Sequence, residues 1–125
     1  MKGLKALAAV VVATGLLTSV APAMAGAAAY KHYVACGISR NAKPAHSCPK
    51  GSKKGAFFKS LKRDVTYSVC VKFPKEKLIC TEEPQEATQG TLYVNKITST
   101  KVGMHRVTWF VEGKKVGSVV FRVTG

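Results

Sequence analysis

The feature that most constrains the fold is a strict alternation of side chains over residues 65–73. Every second residue of this stretch is apolar: Val65, Tyr67, Val69, Val71 and Phe73. A period of two places these side chains on one face of a β strand and the intervening residues on the other face. We therefore predict a strand with one buried face here, with Tyr67 in the core.

A turn and a returning strand are predicted to follow this strand. Residues 74–76 have the composition of a turn, and residues 77–82 would form the second strand of a hairpin. A three-residue loop prefers glycine at its left-handed position, where this chain has Glu76. A five-residue loop in the same register avoids that conflict, so both loop lengths remain open.

The register of this hairpin would bring two cysteines together. If Phe73 lies opposite Lys77, then Cys70 lies opposite Cys80. Opposed positions in a sheet have Cβ atoms about 4.5–5.5 Å apart, and a modest adjustment brings them to disulfide distance. Because Cys70 shares a face with Lys72, we expect this bridge on the outer side of the sheet.

The C-terminal residues predict a second hairpin. Its first strand, residues 105–111, carries Val107, Trp109 and Val111 on a face that we expect to be buried. Residues 112–115 are predicted to turn the chain, and the return strand supplies the matching apolar face: Val119, Phe121 and Val123. His105 alternates with the inward positions, so we expect it to be a partly buried histidine at a sheet edge.

Further strands are predicted at residues 30–38, 56–58 and 90–97, with one of Phe57 and Phe58 in the core. Glycine, proline and asparagine recur between short runs rich in Val, Thr, Tyr and Phe, and no long helical period occurs. Short strands at this spacing are typical of an all-β chain folded as an antiparallel two-sheet sandwich.

The chain begins with the pattern of a secretory signal peptide over residues 1–25. Lys2 and Lys5 precede an uncharged, mostly apolar run at residues 6–20. Residues 23–25, Ala-Met-Ala, are the small residues that a signal peptidase requires. The apolar run is shorter than the roughly 18 residues that a transmembrane helix needs. We therefore predict a cleaved signal peptide.

Cleavage after Ala25 would leave one secreted, extracellular domain, residues 26–125. This domain contains all the cysteines of the chain: Cys36, Cys48, Cys70 and Cys80. Export exposes thiols to an oxidising environment, so we predict two disulfides. Three pairings are possible, and we favour Cys36–Cys48 with Cys70–Cys80. The spacings do not match those of a zinc site.

Residues 39–55 combine lysines and an arginine with turn-forming residues. We predict a long basic loop over these residues, which the Cys36–Cys48 bridge would tie to the domain.

A resemblance to a known family supports the fold. Residues 103–123 resemble the final hairpin of bacterial secreted immunoglobulin-like domains, where a G-K-x-V-G turn precedes a strand ending in F-x-V. Those elements are G-K-K-V-G at residues 113–117 and F-R-V at residues 121–123. Residues 55–80 look like small exported proteins of actinobacteria with the same plan. The resemblance implies an immunoglobulin-like β sandwich and brings no catalytic residues with it.

Positive charge is the strongest indication of function. The whole chain has a formal net charge of +14, and loss of Lys2 and Lys5 with the signal peptide leaves +12. Such a charge attracts polyanions. The basic residues that we predict to bind anions cluster in one segment and in the hairpin after it: Lys50, Lys53, Lys54, Lys59, Lys62, Arg63, Lys72, Lys75 and Lys77.

The partners expected for such a surface outside the cell are anionic cell-wall polymers, acidic lipids and nucleic acid. The same charge also suits a surface that is merely solvated. The leading prediction is therefore a secreted, non-enzymatic binding or surface-associated module with a basic face.

Catalysis is not supported by the sequence. The histidines are His32, His46 and His105, the single aspartate is Asp64, and no nucleophile, base and orienting group converge in the pattern. The glutamates fall near predicted turns and strand ends, unlike the paired acids of glycosidases. We predict that the protein is not an enzyme and needs no cofactor or metal.

Two alternatives remain open. A disulfide-stapled inhibitor or toxin-like effector would present residues 39–55 as its binding loop. A carrier would hold a small apolar ligand in a pocket between the two sheets.

Overall fold

The computed structural model describes residues 29–125 of the chain. The predicted signal peptide and its cleavage site lie outside these residues. Residues 29–125 contain strands, turns and connecting segments, and no helix. The strands are β1 Tyr30–Ala35, β2 Ser47–Pro49, β3 Lys54–Ser60, β4 Val65–Lys72, β5 Leu78–Cys80, β6 Gln85–Ala87, β7 Leu92–Ile97, β8 Gly103–Val111 and β9 Lys114–Thr124.

The strands form two sheets. A six-stranded sheet has the order β2-β9-β8-β4-β5, with β6 also paired to β4, and a three-stranded sheet has the order β1-β3-β7. All pairs are antiparallel except β2 and β9, which run parallel.

This topology is immunoglobulin-like. The chain crosses from the small sheet to the large sheet three times, after β1, after β3 and after β7, and it ends with the β8–β9 hairpin in the large sheet. Two packed, mainly antiparallel sheets that exchange strands in this way form the immunoglobulin-like sandwich. The fold class that the sequence predicts is confirmed. In antibody domains, a buried tryptophan lies on the strand that corresponds to β4 here. In this chain β4 has no tryptophan, and Trp109 lies on β8.

The first hairpin has the predicted register. Cys70 lies opposite Cys80, and Lys72 lies opposite Leu78, which leaves a five-residue loop at residues 73–77. The left-handed residue of this loop is Lys75, with φ 59°, and not Glu76. Proline before a residue with positive φ is the pattern of a type II turn. The longer of the two loops considered is therefore the one that forms.

Both predicted disulfides are present. One joins Cys36 to Cys48 and the other joins Cys70 to Cys80. Cys80 is exposed on the outer face of the large sheet, as expected. Each bridge is expected to stabilise a domain of this size by about 2–4 kcal/mol, mainly by restricting the unfolded chain.

The second hairpin turns more tightly than the sequence predicts. Strand β9 begins at Lys114, so the turn consists of Glu112 and Gly113 rather than residues 112–115. Both turn residues have positive φ, 49° and 84°, as a type I′ turn requires. A register shift after Trp109 absorbs the remaining residue as a β-bulge.

The predicted basic loop at residues 39–55 is also incorrect. Residues 47–49 form β2, which pairs with β9, and Lys54 and Gly55 belong to β3. The backbone N–H groups of Ala45 and Lys50 donate to the carbonyls of Val34 and Thr124. Backbone hydrogen bonds therefore join this segment to both sheets, so it is not one free loop; its β2–β3 connection, residues 50–53, remains largely exposed.

Aromatic stacking fills one half of the interface between the sheets. Tyr67 of the large sheet stacks on Phe58 of the small sheet, with ring centroids 4.3 Å apart. The Tyr67 hydroxyl donates to Asn95 Oδ1 at 2.9 Å, and burial raises the pKa of Tyr67 to about 12. Phe58 is therefore the phenylalanine that packs between the sheets. Phe57 lies on the opposite face of β3, stacked on Tyr33, and it is buried as well, at 1% exposure, so both phenylalanines are buried rather than one.

The other half of the interface is built around Trp109. Its side chain is fully buried and stacks on the ring of His32 in β1, with centroids 4.9 Å apart. Gly117 lies opposite Trp109 in β9, and a Cβ atom at Gly117 would overlap the His32 ring. The absence of a side chain at this position therefore lets the histidine reach the tryptophan.

Substitution of Gly117 tests this packing. We expect Gly117→Ala to lower the free energy of unfolding by about 1–3 kcal/mol, because the added methyl group must displace the His32 ring. Chemical denaturation of a protein that comprises residues 26–125 measures this change. The control is Gly51→Ala, where an added Cβ meets no atom within 4 Å. Equal effects of the two substitutions would contradict the proposed role of Gly117.

Candidate anion-binding site

One end of the sandwich gathers loops that carry many of the predicted anion-binding lysines. It contains the β2–β3 connection, the β4–β5 loop and the segment before β8. Lys101 forms an ion pair with Glu76 of the β4–β5 loop at 2.6 Å, and Pro74 of the same loop lies against Gly103. We call this region the basic end and define it by its exposed lysines: Lys50, Lys53, Lys72, Lys75, Lys77 and Lys101.

Lys54 does not belong to this exposed set, which corrects the sequence prediction. It is 1% exposed because it lies on the inward face of β3, opposite Ile97. Its Nζ donates to the carbonyls of Ser52 at 2.8 Å, Lys50 at 3.3 Å and Ser99 at 3.5 Å. Burial lowers the pKa of this amine. Lys54 therefore joins the β2–β3 connection to the segment before β8 by buried hydrogen bonds, and it is not an anion ligand.

Ser99 and His105 continue this network. The Nδ1 of His105 lies 3.1 Å from the carbonyl of Gly103, so Nδ1 carries the proton in the neutral ring. Its Nε2 then accepts a hydrogen bond from Ser99 Oγ at 2.8 Å. Burial lowers the pKa of His105; the Gly103 carbonyl acts in the opposite direction, and Lys54 adds to the lowering.

The Ser99–His105 pair has the spacing of a nucleophile and its base, but its setting is structural. His105 is 1% exposed, and Ser99 Oγ also accepts from the backbone N–H of Lys101 at 3.2 Å. Both polar atoms are thus engaged in holding the segment before β8. Residues 98–100 are polar and follow no periodicity, so this contact is not predictable from the sequence.

The remaining predicted anion ligands lie elsewhere. Lys59 projects from the outer face of the small sheet, opposite Lys31 and Leu92. Lys62 and Arg63 lie in the β3–β4 connection at the opposite end. Arg63 donates to both carboxylate oxygens of Glu112, and this carboxylate raises the pKa of Arg63. The predicted anion-binding residues therefore lie at both ends of the sandwich and on the outer face of the small sheet.

Sequence analysis missed two cations at or near the basic end. Lys101 stands alone in a polar segment and belongs to no basic cluster in the sequence. Arg106 lies directly opposite Lys72 on the outer face of the large sheet, and its side chain donates to Ser118 Oγ at 3.1 Å. The alternation of β8 places Arg106 outward, but its proximity to Lys72 depends on a strand pairing that only the structure shows.

A groove of about 290 Å³ opens at the side of the sandwich, between β5 and β7. Val69, Val71 and Ile97 line it, and Ile79 at its rim is 53% exposed. The core residues of both sheets pack against one another beside it. The carrier alternative requires an apolar pocket enclosed between the sheets. This groove is open at the side of the sandwich, so it is not such a pocket.

Residues 29–125 contain no cluster of side chains suited to hold a metal ion. Within the same residues, no helix is long and apolar enough to span a membrane.

No protein-family model matches this chain, and no curated protein matches it. An immunoglobulin-like protein of Pseudomonas aeruginosa is similar in structure, with a TM-score of 0.49, 16% identity, and coverage of 75% of this chain and 90% of that one.

The alkylpurine DNA glycosylase AlkC of Pseudomonas fluorescens, solved bound to DNA with an abasic-site analogue, has a TM-score of 0.45 and 12% identity. That match covers 78% of this chain and 31% of the glycosylase, so the chain spans about a third of the enzyme's length.

The partly buried His32 and the buried His105 predict a pH dependence of stability. Burial is the main cause that lowers the pKa of both His32 and His105 below 6.5. Below pH 6.5 the unfolded chain therefore binds protons that the folded chain does not. We expect the two histidines to leave the free energy of unfolding unchanged above pH 6.5. As the pH decreases below 6.5, the free energy of unfolding should fall progressively.

Denaturation at a series of pH values above about 5, where free carboxyl groups are still largely ionised, measures this slope. His32→Phe keeps an aromatic ring against Trp109 and removes one titrating group, so its slope should be shallower. An unchanged slope in this variant would exclude His32 as a source of the pH dependence.

Proposed function

We propose that this protein is a secreted, non-enzymatic binding module that holds anionic, phosphate-rich partners at its basic end. The immunoglobulin-like fold and the two disulfides are compatible with an extracellular module of this kind. The partner class is inferred from the charge and geometry of the basic end.

One observation carries this proposal. Loops that are distant in sequence converge at the basic end with its six lysines, and the single acidic side chain among them, Glu76, is already paired with Lys101. The other carboxylates of residues 29–125 lie in other loops or on β6: Asp64, Glu82, Glu83, Glu86 and Glu112. The basic end therefore has an excess of positive charge that the fold itself does not neutralise.

The local geometry favours an anion as the neutralising partner. Lys72 and Arg106 lie directly opposite each other on adjacent strands, so two cations share the outer face of the large sheet. Lys72 Nζ donates to the carbonyls of Phe73 and Glu76, and Arg106 donates to Ser118 Oγ, so both charges are fixed in place and neither is paired with a carboxylate of residues 29–125. Binding of a polyanion to several such cations also releases its condensed counterions, which makes the affinity strongly dependent on salt.

Lys75 supports the same conclusion. It occupies the left-handed position of the β4–β5 loop, with φ 59°, where glycine or asparagine would be less strained. Its side chain is exposed at the tip of the loop. A lysine at this strained and exposed position fits a role in binding rather than in folding.

Charge removal at the two ends of the molecule tests the proposal. The variant Lys53→Gln, Lys75→Gln, Lys77→Gln removes three charges from the basic end, and Lys62→Gln, Lys114→Gln, Lys115→Gln removes three exposed charges elsewhere. The probe is single-stranded oligodeoxythymidylate, titrated at several salt concentrations. We expect the first variant to reduce the magnitude of the slope of log K against log salt by about 2, because each of the three lost phosphate contacts contributes about 0.7.

The control variant has the same net charge as the basic-end variant. It should therefore keep most of the affinity and slope of the unmodified protein. Equal losses in the two variants would show that net charge alone governs binding, and the assignment of the site to the basic end would fail.

The strain at Lys75 allows binding and stability to be separated. Lys75→Gly should weaken oligonucleotide binding while leaving the free energy of unfolding unchanged or raising it by up to about 1 kcal/mol, because glycine accepts a positive φ without strain. Lys77→Gly removes the same charge from the same loop at a residue without positive φ, so it should lower stability. Destabilisation of equal size in both variants would contradict the strain assigned to Lys75.

A further inference from the structure

Large apolar side chains are exposed in the same region as the lysines of the basic end. Leu78 is 55% exposed, Val102 is 53% exposed and Met104 is 47% exposed. These values exceed those of Leu61 and Val94, the exposed apolar residues farther from this end, which are 40% and 39%.

The strand register places these apolar side chains among the lysines. Leu78 lies directly opposite Lys72 on the outer face of the large sheet. Met104 precedes Arg106 by two residues in β8, so both project from that same face.

Val102 extends the patch around the end of the sandwich. It follows Lys101, which is paired with Glu76, and it precedes Gly103, which lies against Pro74. The segment before β8 and the β4–β5 loop are thus in contact, and the exposed Val102 side chain itself lies toward Gly125, just after β9. We call Leu78, Val102 and Met104 the apolar patch.

A mixed surface of this kind matches the chemistry of an anionic bilayer. Lysines near such a surface are attracted to its phosphate headgroups, and their aliphatic stems tolerate the interface. Apolar side chains beside them gain free energy by entering the boundary between headgroups and acyl chains. A soluble polyanion neutralises the lysines but gives the apolar patch nothing to bury against.

A second copy of this chain is a less suitable occupant of the apolar patch. Each copy of residues 26–125 has a formal net charge of +12, once Lys2 and Lys5 are subtracted from the +14 of the whole chain. Pairing two such ends would bring their lysines together without compensating carboxylates, and this repulsion opposes association.

We propose that the basic end docks on an anionic lipid surface, with Leu78, Val102 and Met104 inserted among the headgroups. This inference rests on the proposed function, because the same lysines supply the electrostatic attraction. It adds the class of partner, a phospholipid bilayer, and an apolar contribution that salt does not screen.

Matched substitutions separate the apolar contribution from the charge. The test variant is Leu78→Gln with Val102→Thr, and the control variant is Leu61→Gln with Val94→Thr; both pairs are exposed and neither changes the net charge. The probes are vesicles of phosphatidylglycerol and phosphatidylcholine, assayed by co-sedimentation, and soluble oligodeoxythymidylate. Thermal unfolding verifies that each variant is folded.

We expect the test variant to lose about tenfold or more of its affinity for the vesicles, since two apolar side chains no longer gain from leaving water. Its affinity for the oligonucleotide should be unchanged, and the control variant should match the unmodified protein with both probes. Vesicle binding of the unmodified protein should also persist in part at salt concentrations that abolish oligonucleotide binding.

Other outcomes overturn the inference in distinguishable ways. Vesicle binding that the test variant retains in full would exclude insertion while leaving the proposed binding of soluble polyanions intact. Equal losses in the test and control variants would show that the apolar patch has no special role. Failure of the unmodified protein to bind either probe would overturn the proposed function together with this inference.

Discussion

The stacking of His32 on Trp109 is the contact on which the sandwich depends, because it joins the centre of the large sheet to the edge strand of the small sheet. It requires a residue without a side chain at position 117, directly across from the tryptophan. His32 Nδ1 and Trp109 Nε1 are both buried without a hydrogen-bond partner among the described residues. The interface therefore contains polar atoms whose burial is offset by ring packing rather than by hydrogen bonds, and this makes its stability sensitive to protonation.

Much of the fold was predictable because long strands carry an alternating pattern. The alternation around Tyr67 and Trp109 identified β4 and β8, and the register of the first hairpin placed Cys70 opposite Cys80. Shorter elements lack such a pattern. Strand β2 has only three residues and owes its existence to pairing with β9, a contact between distant parts of the chain. The tight turn before Lys114 was missed because a positive φ at Glu112 is uncommon for a residue that is not glycine.

The sequence predicts that the candidate site is basic, but it does not identify which lysines belong to the site. A run of lysines in a sequence shows that a surface is basic, but strand direction and register decide which lysines share it. Lys54 illustrates the difference. It follows Lys53 in a basic run and is the first residue of β3. The alternation of that strand directs its side chain inward, where three carbonyl groups accept hydrogen bonds from its amine in place of water. Burial of a charged group is tolerated only with such partners.

The same buried amine explains how loops from different parts of the chain form one surface. Lys54 holds the β2–β3 connection, and through Ser99 it is linked to the segment that carries Lys101 and contacts the β4–β5 loop. Mutually repelling lysines would otherwise favour separation of these loops. The structure thus uses one cation, shielded from solvent, to fix the positions of others that remain in water.

Charge is also distributed unevenly along the molecule. Asp64, Glu86 and Glu112 surround a hollow at the end where Arg63 lies, opposite the basic end. Lys62, Arg63, Lys114 and Lys115 lie at the same end as these carboxylates, so the charges there nearly cancel, whereas the lysines of the basic end are opposed only by the side chain of Glu76. This difference in charge gives the molecule an electrostatic dipole along its length. Near an anionic surface, such a dipole turns the basic end toward the surface before contact and raises the rate of productive encounters. In the docking that we propose, the exposed apolar side chains at that end would then be the first to meet the surface.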